Sequence, residues 1–81
     1  MYYVYLLENS SSPKRRYIGC SSNLRHRLRE HNDGKLPNTA RYRPWVLATY
    51  LAFSSKRQAL AFESYLKTGS GYVFSRKHLW P

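Results

Sequence analysis

Two phenols, a guanidinium, an imidazole and a carboxylate are spaced in this sequence so that one small fold could aim them at a phosphate: Tyr5, Tyr17, Arg27, His31 and Glu63. In the stretch RRYIGCSSNLRHRLREHNDG, residues 15–34, a β-rich run ending in Tyr17, Ile18 and Gly19 passes directly into a segment crowded with arginines. At about 100° per residue, Leu24, Leu28 and His31 fall on one narrow helical stripe with Arg27 beside it, while Arg25 and Arg29 point elsewhere. The stripe that holds the leucines must pack on a sheet, so Arg27 and His31, one turn apart, travel to the sheet side together. Further along, Ala59, Phe62 and Leu66 define a second apolar stripe, and Glu63 lies within it instead of opposite it. A half-buried carboxylate is costly unless a cation meets it. Two arrangements supply one: a structural ion pair with Arg27, or a metal ion at Glu63 with a phosphate at Arg27.

These groups need elements to hold them. Residues 2–7, YYVYLL, read as a strand covered on both sides, with Tyr3, Tyr5 and Leu7 on one face and Tyr2, Val4 and Leu6 on the other. A polar turn with a proline over residues 9–14 leads into a second extended run, 15–20, so the two strands form an antiparallel hairpin. That pairing brings Tyr5 and Tyr17 side by side, and Gly19, on the same face as Tyr17, leaves the face open. Both tyrosines also suit a plain amphipathic core. Ser21 or Ser22 caps a helix running to about residue 32, with Gly34 placed to stop it. A loop over 33–43 follows, and its Lys35, Arg41 and Arg43 suit a phosphate backbone as well as solvent.

Residues 45–53, WVLATYLAF, read as a third strand, buried by its apolar continuity. Ser55 with Gln58 makes a capping box for a helix over 55–68; Gly69 and Gly71 break the chain, and 72–79 form a short third helix. The order β-β-α-β-α-α predicts one α/β domain over residues 1–81, a small three-stranded antiparallel sheet flanked by helices.

Fourteen Lys and Arg against four Asp and Glu give a formal charge of +10, which points to a polyanionic partner. Eight tyrosines and two tryptophans can complete a small core and still line a nucleic-acid groove. A single cysteine, Cys20, excludes an intrachain disulfide and fits a reducing cytoplasm. The apolar run over 45–53 falls far short of the roughly 20 residues that span a bilayer, and neither helix has the clean amphipathic face of a membrane-surface binder. With 81 residues there is no room for a separate specificity domain, so selection must come from this surface or from a protein partner.

Taken together, these residues resemble the GIY-YIG nucleases. Tyr17-Ile18-Gly19 reads as the YIG half, Asn23-Leu24, Arg27 and His31 follow at the family's helix spacing, and Glu63 sits on the later helix; the likeness covers about residues 2–78. The resemblance implies a phosphodiesterase similar to the N-terminal nuclease domain of bacterial UvrC, to the catalytic subunit of eukaryotic junction nucleases and, in its compact ending, to small stand-alone bacterial members. It implies Tyr5 as the GIY tyrosine, Tyr17 as the YIG tyrosine, Arg27 as the catalytic arginine, His31 as its helper and Glu63 as the metal ligand. The chain departs from the pattern in three places: Tyr3-Val4-Tyr5 lacks the GIY glycine, Cys20 stands where related chains carry lysine, and no asparagine follows Glu63, leaving Thr68 or Ser70 as substitutes.

The chemistry expected on this basis is hydrolysis of DNA with one Mg²⁺ or Mn²⁺ held by Glu63 and waters, since four carboxylates are too few and too scattered for a two-metal site. Arg27 would bind nonbridging phosphate oxygens. Tyr17 would serve as general base or water-orienting group, its ionisation favoured by Arg27, the metal and His31, while Tyr5 positions water or phosphate. The expected function is thus a metal-dependent endonuclease, selective for branched or single-stranded DNA and acting in repair or recombination. The competing readings are a catalytically silent nucleic-acid-binding module and a nuclease subunit that needs a partner.

Overall fold

The computed structural model describes residues 1–11 and 14–81; part of the turn expected over 9–14 lies outside the described residues. Tyr2–Asn9 carries apolar or aromatic side chains at nearly every position, which suits a strand covered on both faces, and it takes the centre of the sheet as β1. Arg16–Ser21 (β2) runs antiparallel along one edge of it and Trp45–Phe53 (β3) along the other, in the order β2-β1-β3. The hairpin between β1 and β2 is closed by Asn9, whose amide donates to the Arg15 carbonyl at 3.1 Å and whose side chain accepts from the Arg15 amide at 2.6 Å.

The alternation along β1 divides the core in two. Val4 and Leu6 pack on one face with Ala59 and Leu66 of α2 (Lys56–Leu66) and with Phe74 of α3 (Gly69–His78). Tyr5 and Leu7 pack on the other with Trp45 and with Leu24 and Leu28 of α1 (Leu24–Asn32). Leu6 and Leu7 are wholly buried, worth about 1.5–3 kcal/mol each, and hold helices on both faces of the sheet. Among the described residues no helix is long and apolar enough to cross a membrane.

Three expectations are corrected. β3 is an edge strand with Val46 and Tyr50 exposed, because β1 occupies the centre; its apolar run reflects one covered face and a partly open one, not double burial. The cap of α1 is Asn23, not Ser21 or Ser22: Ser21 ends β2 and accepts from the Asn23 amide, while Asn23 takes the extended backbone and its side chain accepts from the His26 amide at 3.0 Å. α3 begins at Gly69, since the Thr68 hydroxyl accepts from the Gly71 amide and draws both glycines into the first turn. Gly34, at φ 77°, does terminate α1 as its spacing implies.

Candidate active site

Tyr5 lies directly opposite Gly19 in the β1–β2 register, and a Cβ at position 19 would run into its phenol. Gly19 therefore lets the Tyr5 ring cross over β2. Tyr17, opposite Leu7, is the diagonal neighbour, with ring centres 6.3 Å apart. From α1 the imidazole of His31 meets both rings edge-on, 5.7 Å from Tyr5 and 5.0 Å from Tyr17. The Tyr5 hydroxyl and His31 Nε2 are hydrogen-bonded at 2.9 Å, and His31 Nδ1 is bonded to the Thr39 hydroxyl at 2.7 Å. Thr39 is buried, and its carbonyl accepts from the Trp45 indole at 3.0 Å. The Thr39 hydroxyl has the Leu36 carbonyl as a further acceptor. In the arrangement that satisfies every group, Nδ1–H donates to Thr39 and Nε2 accepts the Tyr5 proton. Nothing in the sequence marks Thr39, one polar residue in a polar loop.

Burial pushes the Tyr5 phenol well above its ordinary value; the Tyr17 phenol and Glu63 add to this and Arg27 opposes it. Tyr5 thus keeps its proton. Burial, and then the Arg27 charge, hold His31 below the ordinary histidine value, with Glu30 partly opposing. His31 is therefore neutral, and the expectation that it lends positive charge to a tyrosine is corrected: burial makes the imidazolium too costly. A stability signature follows. Below about pH 6.5 unfolded His31 binds a proton that the folded protein refuses until lower pH, so stability falls as pH drops through this window. Thermal melts between pH 7.5 and 5 should show this decline, and it should flatten in His31→Gln.

Arg27 and Glu63 do not pair with each other. Arg27 is held by Glu30 at 3.0 Å on its own helix, and Glu63 by Lys67 at 3.0 Å on its own. The structural ion pair is therefore replaced by two local ones, worth only about 0.2–0.5 kcal/mol each, so either charge can be released to a ligand. Arg27 draws the Tyr5 phenol down and Glu63 pushes it up, while α1 and α2, which carry them, cover opposite faces of the sheet. Glu63 also raises the thiol of Cys20, on the α2 side of β2, where burial is the larger cause. Tyr5, Tyr17 and His31 are thus brought into one aromatic cluster, Arg27 stands one turn before His31 on α1, and Glu63 is carried by α2 on the other side of the sheet.

A cation site at Glu63 has a limited donor set. Among the described residues no three His, Cys, Asp or Glu side chains group to hold a metal. Glu63 is 19% exposed, with one oxygen on Lys67. A lone, part-buried carboxylate fits Mg²⁺, which keeps several waters and takes its other ligands from substrate phosphate. Thr68 is committed to capping α3 and to the Tyr65 carbonyl, so it does not replace the missing asparagine; Ser70 is exposed in the first turn of α3. Lys35, Arg41 and Arg43 are exposed and outside the tyrosine cluster, Arg43 bending back to donate to the Ala40 carbonyl at 2.6 Å.

Comparison with known proteins bears on this arrangement. The profile of the GIY-YIG catalytic domain matches residues 1–73. The chain is 43% identical over 65 residues to a structure-specific endonuclease subunit SLX1 homolog of Giardia intestinalis, covering 75% of this chain and 18% of that protein. It is 42% identical over 74 residues to the structure-specific endonuclease subunit SLX1 of Debaryomyces hansenii, covering 82% and 21%. To a UPF0213 protein of Streptococcus pyogenes serotype M5 it is 39% identical over 66 residues, covering 80% of this chain and 70% of that one. The chain spans about a fifth of the length of the two SLX1 proteins. No solved structure matches it.

Proposed function

Because the chain belongs to the GIY-YIG catalytic-domain family, we propose that it is a metal-dependent endonuclease that hydrolyses DNA phosphodiesters, selecting branched or single-stranded sites in repair or recombination. The observation that carries this reading is the gathering of Tyr5, Tyr17 and His31 into one aromatic cluster, with Arg27 one turn before His31 on the same helix.

In this reading Arg27 leaves Glu30 and its planar fork takes the nonbridging oxygens of the scissile phosphate. Tyr17, half-buried and without the His31 bond that ties down Tyr5, gives its own proton to solvent and as phenolate accepts the proton of the attacking water. Tyr5 and Thr39 hold the neutral His31 ring against Tyr17 and so keep that phenol in place. Glu63 would hold one Mg²⁺ or Mn²⁺, which supplies charge neutralisation at the phosphate and leaving oxygen. Two relatives are named as subunits, which supports a protein partner that adds specificity. We assign this activity to the cytoplasm, where a lone thiol stays reduced.

Labelled branched and linear DNA of equal length, incubated with Mg²⁺, Mn²⁺ or EDTA, tests the proposal. Cleavage should favour the branched form, stop in EDTA and resume on adding Mg²⁺. Metal-independent cleavage would remove the cation from the scheme, and tight binding without cleavage would return the catalytically silent module.

A further inference from the structure

The charges on α1 are divided unequally between its flanks. On the Arg27 side, Glu30 engages both Arg27 and His26, at 3.0 and 3.6 Å. Arg25 and Arg29, one turn apart on the opposite flank, are exposed and form no ion pair among the described residues. Beneath that flank the sheet extends past the helix. Tyr3 of β1 and Tyr50 of β3 stand there edge to face, ring centres 5.9 Å apart, and Tyr50 is 51% exposed. A bulge in the β1–β3 ladder at Leu6/Leu7 turns Leu47 onto the same face as Tyr50, although they lie three positions apart. The result is a groove of about 450 Å³, floored by Leu24, Leu28 and Leu47 and flanked by the two tyrosines and Arg25, with no carboxylate in its lining.

We propose that this groove takes an unpaired nucleobase of the DNA substrate, stacked on Tyr50, with the adjoining phosphates on Arg25 and Arg29. The proposal rests on the nuclease reading for the identity of the polymer and adds to it the feature that selects the strand. Exposed aromatic rings beside unpaired arginines are the recognition chemistry of single strands, and stacking accepts any base. A duplex keeps its bases stacked internally and offers the groove only backbone, so occupancy favours overhangs, flaps and junctions. The groove lining holds no acidic group to repel the strand, and the volume suits one nucleoside.

The full chain in EDTA, where no cleavage is read, provides the test. A single-stranded oligonucleotide carrying 5-iododeoxyuridine is crosslinked by light and the attached residue mapped by mass spectrometry, and affinities for this strand and for a duplex of equal length are measured for wild type, Tyr50→Ala and Tyr50→Phe. Crosslinks should map to Tyr3 or Tyr50; Tyr50→Ala should weaken single-strand binding about tenfold and duplex binding by less than about twofold, while Tyr50→Phe stays near wild type. Crosslinks found only elsewhere, or an equal loss for both DNA forms, would overturn the proposal. So would a concentration-dependent dimer that Tyr50→Ala dissolves, which would assign the groove to a second copy. The crosslink is read on wild-type protein and does not depend on the fold of any variant. Since no step requires hydrolysis, failure of the nuclease reading and failure of this one are separate results.

Discussion

Glu63→Gln should lower the cleavage rate by about a thousandfold or more while DNA affinity stays level or rises, because a metal's charge stabilisation of a phosphoryl transition state is worth several kcal/mol. The substitution keeps the shape of the side chain in its place beside Phe62 and Leu66. It removes one negative charge from a strongly basic protein and frees Lys67, so the field seen by an approaching phosphate becomes more positive. Stability should move by less than about 0.5 kcal/mol, the scale of an exposed helical ion pair. Gel-shift affinity, single-turnover cleavage in Mg²⁺ and a thermal melt on the same preparation check the three parts. Cleavage at the wild-type rate would sink the assignment of Glu63, and lost activity that tracks a lost fold would leave no catalytic role to assign.

The two tyrosines should separate on substitution. Tyr17→Phe keeps the ring beside His31 and deletes only the hydroxyl, so the cleavage rate should fall by about a hundredfold to ten-thousandfold, the range of a lost general base, with affinity and melting temperature nearly unchanged. Tyr5→Phe has a different target. It strips the buried His31 Nε2 of its partner at 2.9 Å, so the main effect should be a stability loss of about 1–3 kcal/mol, with a smaller loss of rate. A base must give up its proton readily, and burial pushes the Tyr5 phenol the opposite way. If Tyr5→Phe stops cleavage without destabilising the protein while Tyr17→Phe cleaves normally, the roles are exchanged and the proton path runs through Tyr5.

Signals with a short period were legible before any coordinates. The alternation of Tyr3, Tyr5 and Leu7 against Val4 and Leu6 follows from the two-residue period of a strand, and it correctly divides the two cores. The stripes holding His31 and Glu63 follow from the helical period, and both residues are indeed drawn in from solvent. Gly19 was recognisable as an opening, though not as the place the Tyr5 ring would fill.

Other features depend on which elements become neighbours. The run at residues 45–53 has the composition of a central strand and is an edge, since position in a sheet is decided by competition among strands and not by the strand itself. Thr39 is indistinguishable from its loop until α1 brings His31 within 2.7 Å of it. The choice of partners for Arg27 and Glu63 was equally hidden: a helix offers each a counter-charge one turn away, and only three-dimensional distance chooses between that and a remote one.

The sequence by itself determined the element order, the faces of β1, the helical stripes and the five groups available for phosphate chemistry, because each is written in spacings of two to four residues. Only the tertiary structure decided that Tyr5 is sealed against a neutral His31, that Glu63 and Arg27 ride on helices covering opposite faces of the sheet, and that a bulge opens a groove beside Tyr50. Those are outcomes of long-range packing, where register, burial and local dielectric are set by residues tens of positions apart.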